Sequence, residues 1–485
     1  MTDDALIRLS AREAVRRLKS GEVSPLELID AALARIEAVD GAVNALPIRC
    51  PERARERAKR LADGRGRSDR DAPGWLAGLP VVIKDSMDVA GVRSTEGSPI
   101  FAGRVPDRSD IQVDRLERRD ALVMARSNAP EVAAGSNTFN EVFGKTLNPW
   151  DTATTCGGSS GGSAVALATG MAWLANGTDL GGSLRIPASF CSVVGYRPSP
   201  GVVAQGPGAN GFDDMSVSGP MARDVADAAL MLDAMAGLDI RDPRSLDAPP
   251  RSFQAAVAAP RPPRRVGWSA DLGFLPVDPE VREICAAAVR RFADLGDGPG
   301  VAVEEAAPDF AGAREIFQTL RALNFATSRG PLLEKYRDRM KPEIVWNIEK
   351  GLALTADEIA RATRARIALY GRVAAFFETY DLLVAPTVIV PPFDVDRRYV
   401  EEVGGRRFEN YVDWLGMTYA ITLTACPALS LPCGFTAGGL PVGLQLVGPP
   451  RGDAALLGHA ALLEAALGLA GRTPIDPRPP RQAAA

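Results

Sequence analysis

The sequence predicts an α/β fold in which one sheet is covered by helices on both faces. Three observations carry that prediction. Short apolar or β-branched runs alternate with longer helix-like stretches along most of the chain. The 485 residues are 46% hydrophobic and 24% charged, the balance of a globular protein with a sizeable core. No internal repeat breaks the alternation, so the chain reads as one large unit, although its length would hold about three average domains.

The N-terminus is punctuated as helix. Ser10-Ala-Arg-Glu13 and Ser24-Pro25-Leu-Glu27 both fit the capping-box pattern, and Pro25 takes the favoured first helical position. Leu26, Ile29, Leu33 and Ile36 recur at helical spacing as one buried stripe. Two helices ending near Gly21 and Asp40 are therefore expected, in a segment 1–60 that packs on the core. After the Gly/Arg-rich loop 63–74, strands are expected at 81–83, 121–124, 265–268, 381–384, 428–431 and 442–447. Helices are expected over 164–175, 223–236, 279–294, 357–378 and 453–467. Within a main domain 61–475 the Pro/Arg-rich segment 241–264 reads as a surface excursion, and 476–485 reads as a flexible tail.

Charge and composition narrow the partners. A net charge of −4 gives no electrostatic case for nucleic acid or an anionic membrane. The local cluster Arg261-Pro-Pro-Arg264-Arg265 reads as a solvated loop. Cys50, Cys156, Cys191, Cys285, Cys426 and Cys433 are scattered, with neither a disulfide framework nor metal-ligand spacing. Acids stand where a signal peptide carries bases, and the small-apolar stretch 164–175 is too short to span a bilayer, so a cytoplasmic protein is expected. His459 is the single histidine. It rules out mechanisms that need two, and any Ser-His-Asp triad would depend on that one residue.

The chemically distinctive stretch runs from 156 to 189. It holds Gly157-Gly-Ser159-Ser160-Gly-Gly162 and Gly181-Gly182-Ser183. Paired glycines before a serine let the backbone turn sharply and aim its N–H groups inward, as an oxyanion hole requires. A phosphate loop would need a lysine after Gly162, where Ser163 and Ala164 stand instead. A flexible linker fits poorly beside apolar, helix-like flanks. Gly157-Gly-Ser159-Ser-Gly161 formally matches the nucleophile elbow of Ser-His esterases, but turn-rich residues 148–156 stand where the elbow needs a strand. His459 also falls inside an expected helix.

A serine without histidine needs another base. Lys84 closes the apolar run Gly78-Leu-Pro-Val-Val-Ile83. A lysine ending a strand is more often a surface residue. If buried, its pKa falls by about 3–5 from an ordinary value near 10.4, which frees the amine around neutral pH.

Together these motifs resemble the amidase signature family, with gaps, from about residue 75 to 450. GGSSGGSA and TDLGGSLRIPA stand in the family's order, with 75 residues from Lys84 to Ser159 and 24 from Ser159 to Ser183. Asn148-Pro149-Trp150, Gly219-Pro-Met-Ala-Arg223 and Pro441-Val-Gly-Leu-Gln-Leu-Val-Gly448 support the match. The resemblance implies a single large α/β/α layered domain with a mixed central sheet. It implies Ser183 as nucleophile, Ser159 as a bridging serine often described with a cis peptide bond, and Lys84 as base. The backbone N–H groups of Leu180, Gly181, Gly182 and Ser183 would form the oxyanion hole, with Ser160, Asp179 and Arg185 as supporting scaffold. The chemistry would be acyl transfer through an ester, then hydrolysis, with no cofactor or metal. Two departures, Gly195-Tyr-Arg-Pro-Ser199 for Gly-Leu-Lys-Pro-Thr and Leu180 for Thr or Ile, bear on pocket shape.

Among family branches, the amidase component of tRNA-dependent amidotransferases usually carries Gly-x-Glu-Val-Lys-Arg-Arg. Residues 343–355 lack it, which favours a free-standing hydrolase of carboxamides, with aryl amides, anilides and urethanes as candidates. A membrane-bound fatty-amide enzyme would need an anchoring apolar helix. A catalytically silent binding protein is a further alternative, against which the intact triad speaks. The acyl pocket is expected from Gly135, Ser136 and Asn137, from Phe139, and from a segment holding Phe317, Phe325 and Tyr336. A small-molecule substrate and a monomer or homodimer complete the expectation. Replacing His459 by alanine should leave amide turnover near wild type; a folded but inactive variant would restore the elbow reading.

Overall fold

Fully buried apolar runs organise the chain. The computed structural model describes residues 2–64, 69–206, 210–295 and 300–480. Eleven strands join one sheet. In chain order they are β1 (Ile48–Arg49), β2 (Pro80–Lys84), β3 (Leu122–Ser127), β4 (Leu174–Asp179), β5 (Val194–Arg197) and β6 (Val217–Ala222). Then follow β7 (Arg265–Trp268), β8 (Ala302–Glu305), β9 (Leu382–Pro386), β10 (Ala428–Phe435) and β11 (Pro441–Val447). The spatial order is β1-β3-β2-β4-β6-β5-β10-β11-β9-β7-β8. β2 runs parallel to β3 and β4, and β7 parallel to β8 and β9, while the centre is antiparallel. The sheet is mixed. β2, β3, β5, β6, β9 and β11 are buried along their whole length, which requires cover on both faces.

All six expected strands form. Five of the sheet's strands were not expected: β1, β4, β5, β6 and β8. The expected helix 164–175 is two elements, a helix Gly161–Ala168 and, after Gly170 at φ +77°, strand β4. Leu-Ala-Asn-Gly-Thr-Asp has little strand propensity, and the sheet on either side overrides it. The other expected helices appear as Val225–Met235, Pro279–Val289 with a 3₁₀ turn to Asp294, Ala356–Phe377 and Asp453–Leu467.

The N-terminal segment holds helices Asp3–Ile7, Ala11–Ser20, Pro25–Val43 and Pro51–Ala62, where two were expected. Ser24 and Glu27 make a reciprocal capping box. Ser10 caps its helix from one side only, because Glu13 turns to Arg16 and Arg17. The buried stripe of Pro25–Val43 runs through Leu28, Ile29, Ala32, Ile36 and Val39, while Leu26 is exposed. Helical residues such as Leu28 and Ile36 share one continuous core with the sheet.

Two further expectations change. Segment 241–264 contains helix Phe253–Ala258, which packs on Val225–Met235 and Asp453–Leu467 and buries Phe253, so it is more than a surface excursion. Arg261 and Arg264 are exposed. In the expected tail, Arg478 bonds through its backbone to Pro149 and Thr152, and Asp476 pairs with Arg35. Residues 481–485 of that tail and 65–68 of the Gly/Arg-rich loop lie outside the described residues.

Helix Ala313–Tyr336 is the long wall beside the site, held by Pro342–Leu352, Ala356–Phe377 and Gly416–Thr422. It meets Pro342–Leu352 closely at Gly351, where an added methyl would sit 2.0 Å from the Ala322 carbonyl oxygen. Gly351→Ala should cost about 1–3 kcal/mol in urea unfolding by forcing the two helices apart. An unchanged midpoint would contradict this packing.

Candidate active site

Two parallel strands end side by side. In the register of β2 and β4, Val81 faces Leu174 and Val82 faces Ala175, so Lys84 and Thr178–Asp179 emerge at one sheet edge. Side chains alternate along a strand, and this separates Lys84 from its neighbour Asp85. Asp85 turns the other way, to Arg126 at 3.2 Å and to the Thr95 amide and hydroxyl. Lys84 is thereby left without an ion pair among the described residues.

The Lys84 side chain is 0% exposed. Its Nζ lies 2.7 Å from Ser159 Oγ, 3.0 Å from Ser160 Oγ and 2.8 Å from Thr178 Oγ1. All three partners are hydroxyls that either donate or accept, so they satisfy an amine as readily as an ammonium. Burial therefore decides the charge. It lowers the Lys84 pKa from 10.5 to about 7, against the pull of the Asp179 carboxylate. Ser159 sits at a cis Gly158–Ser159 bond just before helix Gly161–Ala168. The short strand Asp151–Thr155 before it belongs to a separate two-stranded ribbon with Leu147–Asn148, ending three residues short of Gly158–Ser159, so no elbow forms on the central sheet. The Gly162 Cα faces backbone: an added methyl there would meet the Asn128 nitrogen at 2.4 Å.

Ser183 stands in the loop between β4 and helix Arg185–Cys191. The loop is fixed by Asp179, whose carboxylate accepts from the Gly182 amide at 3.0 Å, the Leu184 amide at 3.2 Å and Arg185 at 2.8 and 2.9 Å. Arg197 adds 3.2 Å to the same carboxylate. Burial alone would raise this carboxyl, but Arg185 and Arg197 overcome it and hold it well below the usual range. Arg185 also reaches the Thr418 carbonyl and Gln445. Of the four amides expected in the oxyanion hole, that of Gly182 donates to Asp179, while those of Leu180, Gly181 and Ser183 have no bond among the described residues. Gly182 itself has φ +115° and abuts Thr418.

Ser159, Ser183, Leu180 and Gly181 line one cavity of about 250 Å³. Gly135, Ser136, Phe317 and Phe325 line it too. Asn137 and Phe139 do not. Asn137 ties together the Val395 and Arg397 carbonyls and Thr155, and Phe139 lies under Lys341 and Arg398 in a separate cleft. Tyr336 contacts Lys335 and Arg339 instead. Arg321, Asn324 and Ser328 were missed. Their signal was present: with Phe317 and Phe325 they fall at i, i+4, i+7, i+8 and i+11 of one helix. His459 bonds the Arg261 carbonyl at 2.8 Å from helix Asp453–Leu467 and is not among the cavity's residues.

A buried amine bonded to hydroxyls thus stands behind a cavity lined by Ser159, Ser183 and backbone amides, groups of the kind acyl transfer uses. The Amidase family profile matches residues 27–457. The chain is 34% identical to the acylamidase of Rhodococcus erythropolis over 480 residues, 98% of this chain and 99% of that one. It is 35% identical over 482 residues to the A component of the glutamyl-tRNA(Gln) amidotransferase of Moorella thermoacetica, 95% of this chain and 96% of that one. A bacterial aryl acylamidase of the amidase signature enzymes superposes with a TM-score of 0.86 at 27% identity, covering 96% of this chain and 99% of that one. The protein belongs to the amidase family, enzymes that hydrolyse carbon–nitrogen bonds.

The buried lysine carries a stability signature. With pKa about 7 folded against 10.5 unfolded, the unfolded chain holds more protons between those values, so the Lys84 contribution to stability rises with pH across that window. Below about 7 the full cost of the buried charge remains. Lys84→Met should therefore stabilise the fold more at about pH 6.5 than at about pH 10. Equal gains in melting temperature at both would show that the amine is not withdrawn from water.

Proposed function

We propose that this protein is a free-standing hydrolase of carboxamides in which Ser183 attacks, Ser159 relays the proton and Lys84 serves as base. One observation carries the reading: an amine with no exposure to water is bonded to Ser159, on the wall of the cavity that Ser183 also lines. Neutral Lys84 takes the Ser159 proton as Ser159 takes that of Ser183. The new alkoxide attacks the carbonyl carbon, and the N–H groups of Leu180, Gly181 and Ser183 hold the oxyanion. The proton returns through Ser159 to the leaving nitrogen, and water then cleaves the ester. The Ser183 hydroxyl makes no hydrogen bond to Ser159 among the described residues; in this mechanism that bond forms as substrate enters, as catalytic contacts often do.

Phe317, Phe325, Leu415 and Val132 give the cavity an apolar side suited to aryl amides, anilides or urethanes. The acylamidase and aryl acylamidase relatives support the same class. No helix among the described residues is long and apolar enough to cross a membrane; we place the enzyme in the cytoplasm as a monomer or homodimer. A second reading, the amidase component of a tRNA-dependent amidotransferase, is favoured by the 35% identity to the Moorella thermoacetica protein. The two are separated by assaying the purified chain alone on anilides, aliphatic amides, esters and carbamates. Partner-free turnover supports the hydrolase; its absence from every substrate favours the amidotransferase component.

Ser183→Ala should abolish turnover, and Lys84→Ala should lose several orders of magnitude. Because the amine must be neutral, kcat/KM should climb about tenfold per pH unit below a pKa of about 7 and level off above it. A profile flat through that range would remove Lys84 as the base.

A further inference from the structure

Arg321 is a cation the proposed reaction does not use. It lies on the cavity wall with Ser183, one helical turn beyond Phe317 on Ala313–Tyr336, and is 5% exposed. It has no ion pair among the described residues. Neutral groups hold its terminal nitrogens: one donates to Asn347 Oδ1, the other to the Tyr411 hydroxyl at 2.8 Å. The Phe325 and Tyr411 rings lie 4.5 and 5.3 Å from its central carbon. Glu96 and Arg329, the other charged residues of the cavity, already pair with each other at 2.6 Å. A buried guanidinium without a carboxylate is costly to keep, and here its orientation is fixed by Asn347, Tyr411 and Phe325 while its charge goes uncompensated.

The leaving nitrogen must lie near Ser159 to be protonated, and Phe317, Arg321 and Phe325, which line the same cavity, offer a wall for the acyl half. The Phe317 ring packs against Gly181 in the oxyanion loop, at 3.2 Å from where a methyl on Gly181 would stand. Arg321 is then about 6 Å farther along the helix, the span of a short dicarboxylic acyl chain. Resting on the amide-hydrolase reading above, we propose that Arg321 determines specificity and that the preferred acyl half ends in a carboxylate bound by its guanidinium.

The test compares glutaryl-4-nitroanilide with its neutral counterpart pentanoyl-4-nitroanilide on the full chain. The anionic substrate should be preferred about 10- to 100-fold in kcat/KM, chiefly through KM. Arg321→Met should bring the ratio toward one, and Arg321→Lys should restore part of it. A wild-type ratio at or below one, or a preference that survives in folded Arg321→Met, overturns the proposal. Should Arg321→Met fail to fold by circular dichroism, inhibition of wild type decides: glutarate should compete at far lower concentration than 1,5-pentanediol, and equal inhibition overturns it. If only the pentanoyl anilide turns over, this inference alone fails. If neither anilide turns over but another amide, ester or carbamate does, this inference again fails alone; if no substrate of any class turns over, the hydrolase reading fails and takes the inference with it.

Discussion

A lysine amine held wholly out of water is the constraint around which the rest is arranged. Moving its pKa from 10.5 to about 7 costs on the order of 5 kcal/mol, which the surrounding fold must supply. The device is geometric. Strand alternation sends Asp85 to the opposite side of the sheet, where Arg126 occupies it, so the nearest carboxylate in sequence cannot hold Lys84 as an ammonium. Hydroxyls of Ser159, Ser160 and Thr178 then satisfy the amine in either protonation state. Burial is left to choose the neutral one.

The second fixed point is the buried Asp179, shared by Arg185 and Arg197. Two cations on one carboxylate, all fully buried, are stable because Asp179 also accepts from the Gly182 and Leu184 amides, and the arginines donate further to the carbonyls of Thr418 and Met215 and to Gln445. The result is a turn with two amides held by one carboxylate. Asp179 takes the Gly182 amide for itself, and this commitment orients the loop while leaving the flanking amides free. Asp179, Arg185 and Arg197 thus stand outside the cavity, while the loop residues that line it, Thr178, Leu180, Gly181 and Ser183, are neutral.

The cavity is closed by a helix from a different part of the chain. Ala313–Tyr336 contributes both apolar and charged groups from one face, and its position depends on close helix contacts such as that at Gly351. The sheet edge and the glycine-serine loops supply the cavity's hydroxyls and backbone amides, and this wall supplies Phe317, Arg321 and Phe325.

Much of this was legible in the sequence. Buried strands such as 81–83 and 442–447, the helix caps, the two glycine-serine clusters and the lysine closing an apolar run each depend on local residue types, and all appear where expected. β4 was not legible, because Ala-Asn-Gly-Thr carries no strand signal and only pairing with β2 and β6 makes it one. Nor was the loss of the Gly182 amide to Asp179, or the placing of Asn137 and Phe139 away from the cavity. By itself the sequence determined which groups are available and roughly which segments are helix or strand, since propensity and periodicity act over a few residues. Only the tertiary structure decided which of those groups meet at one site, because burial and hydrogen-bond partners come from segments tens to hundreds of residues apart.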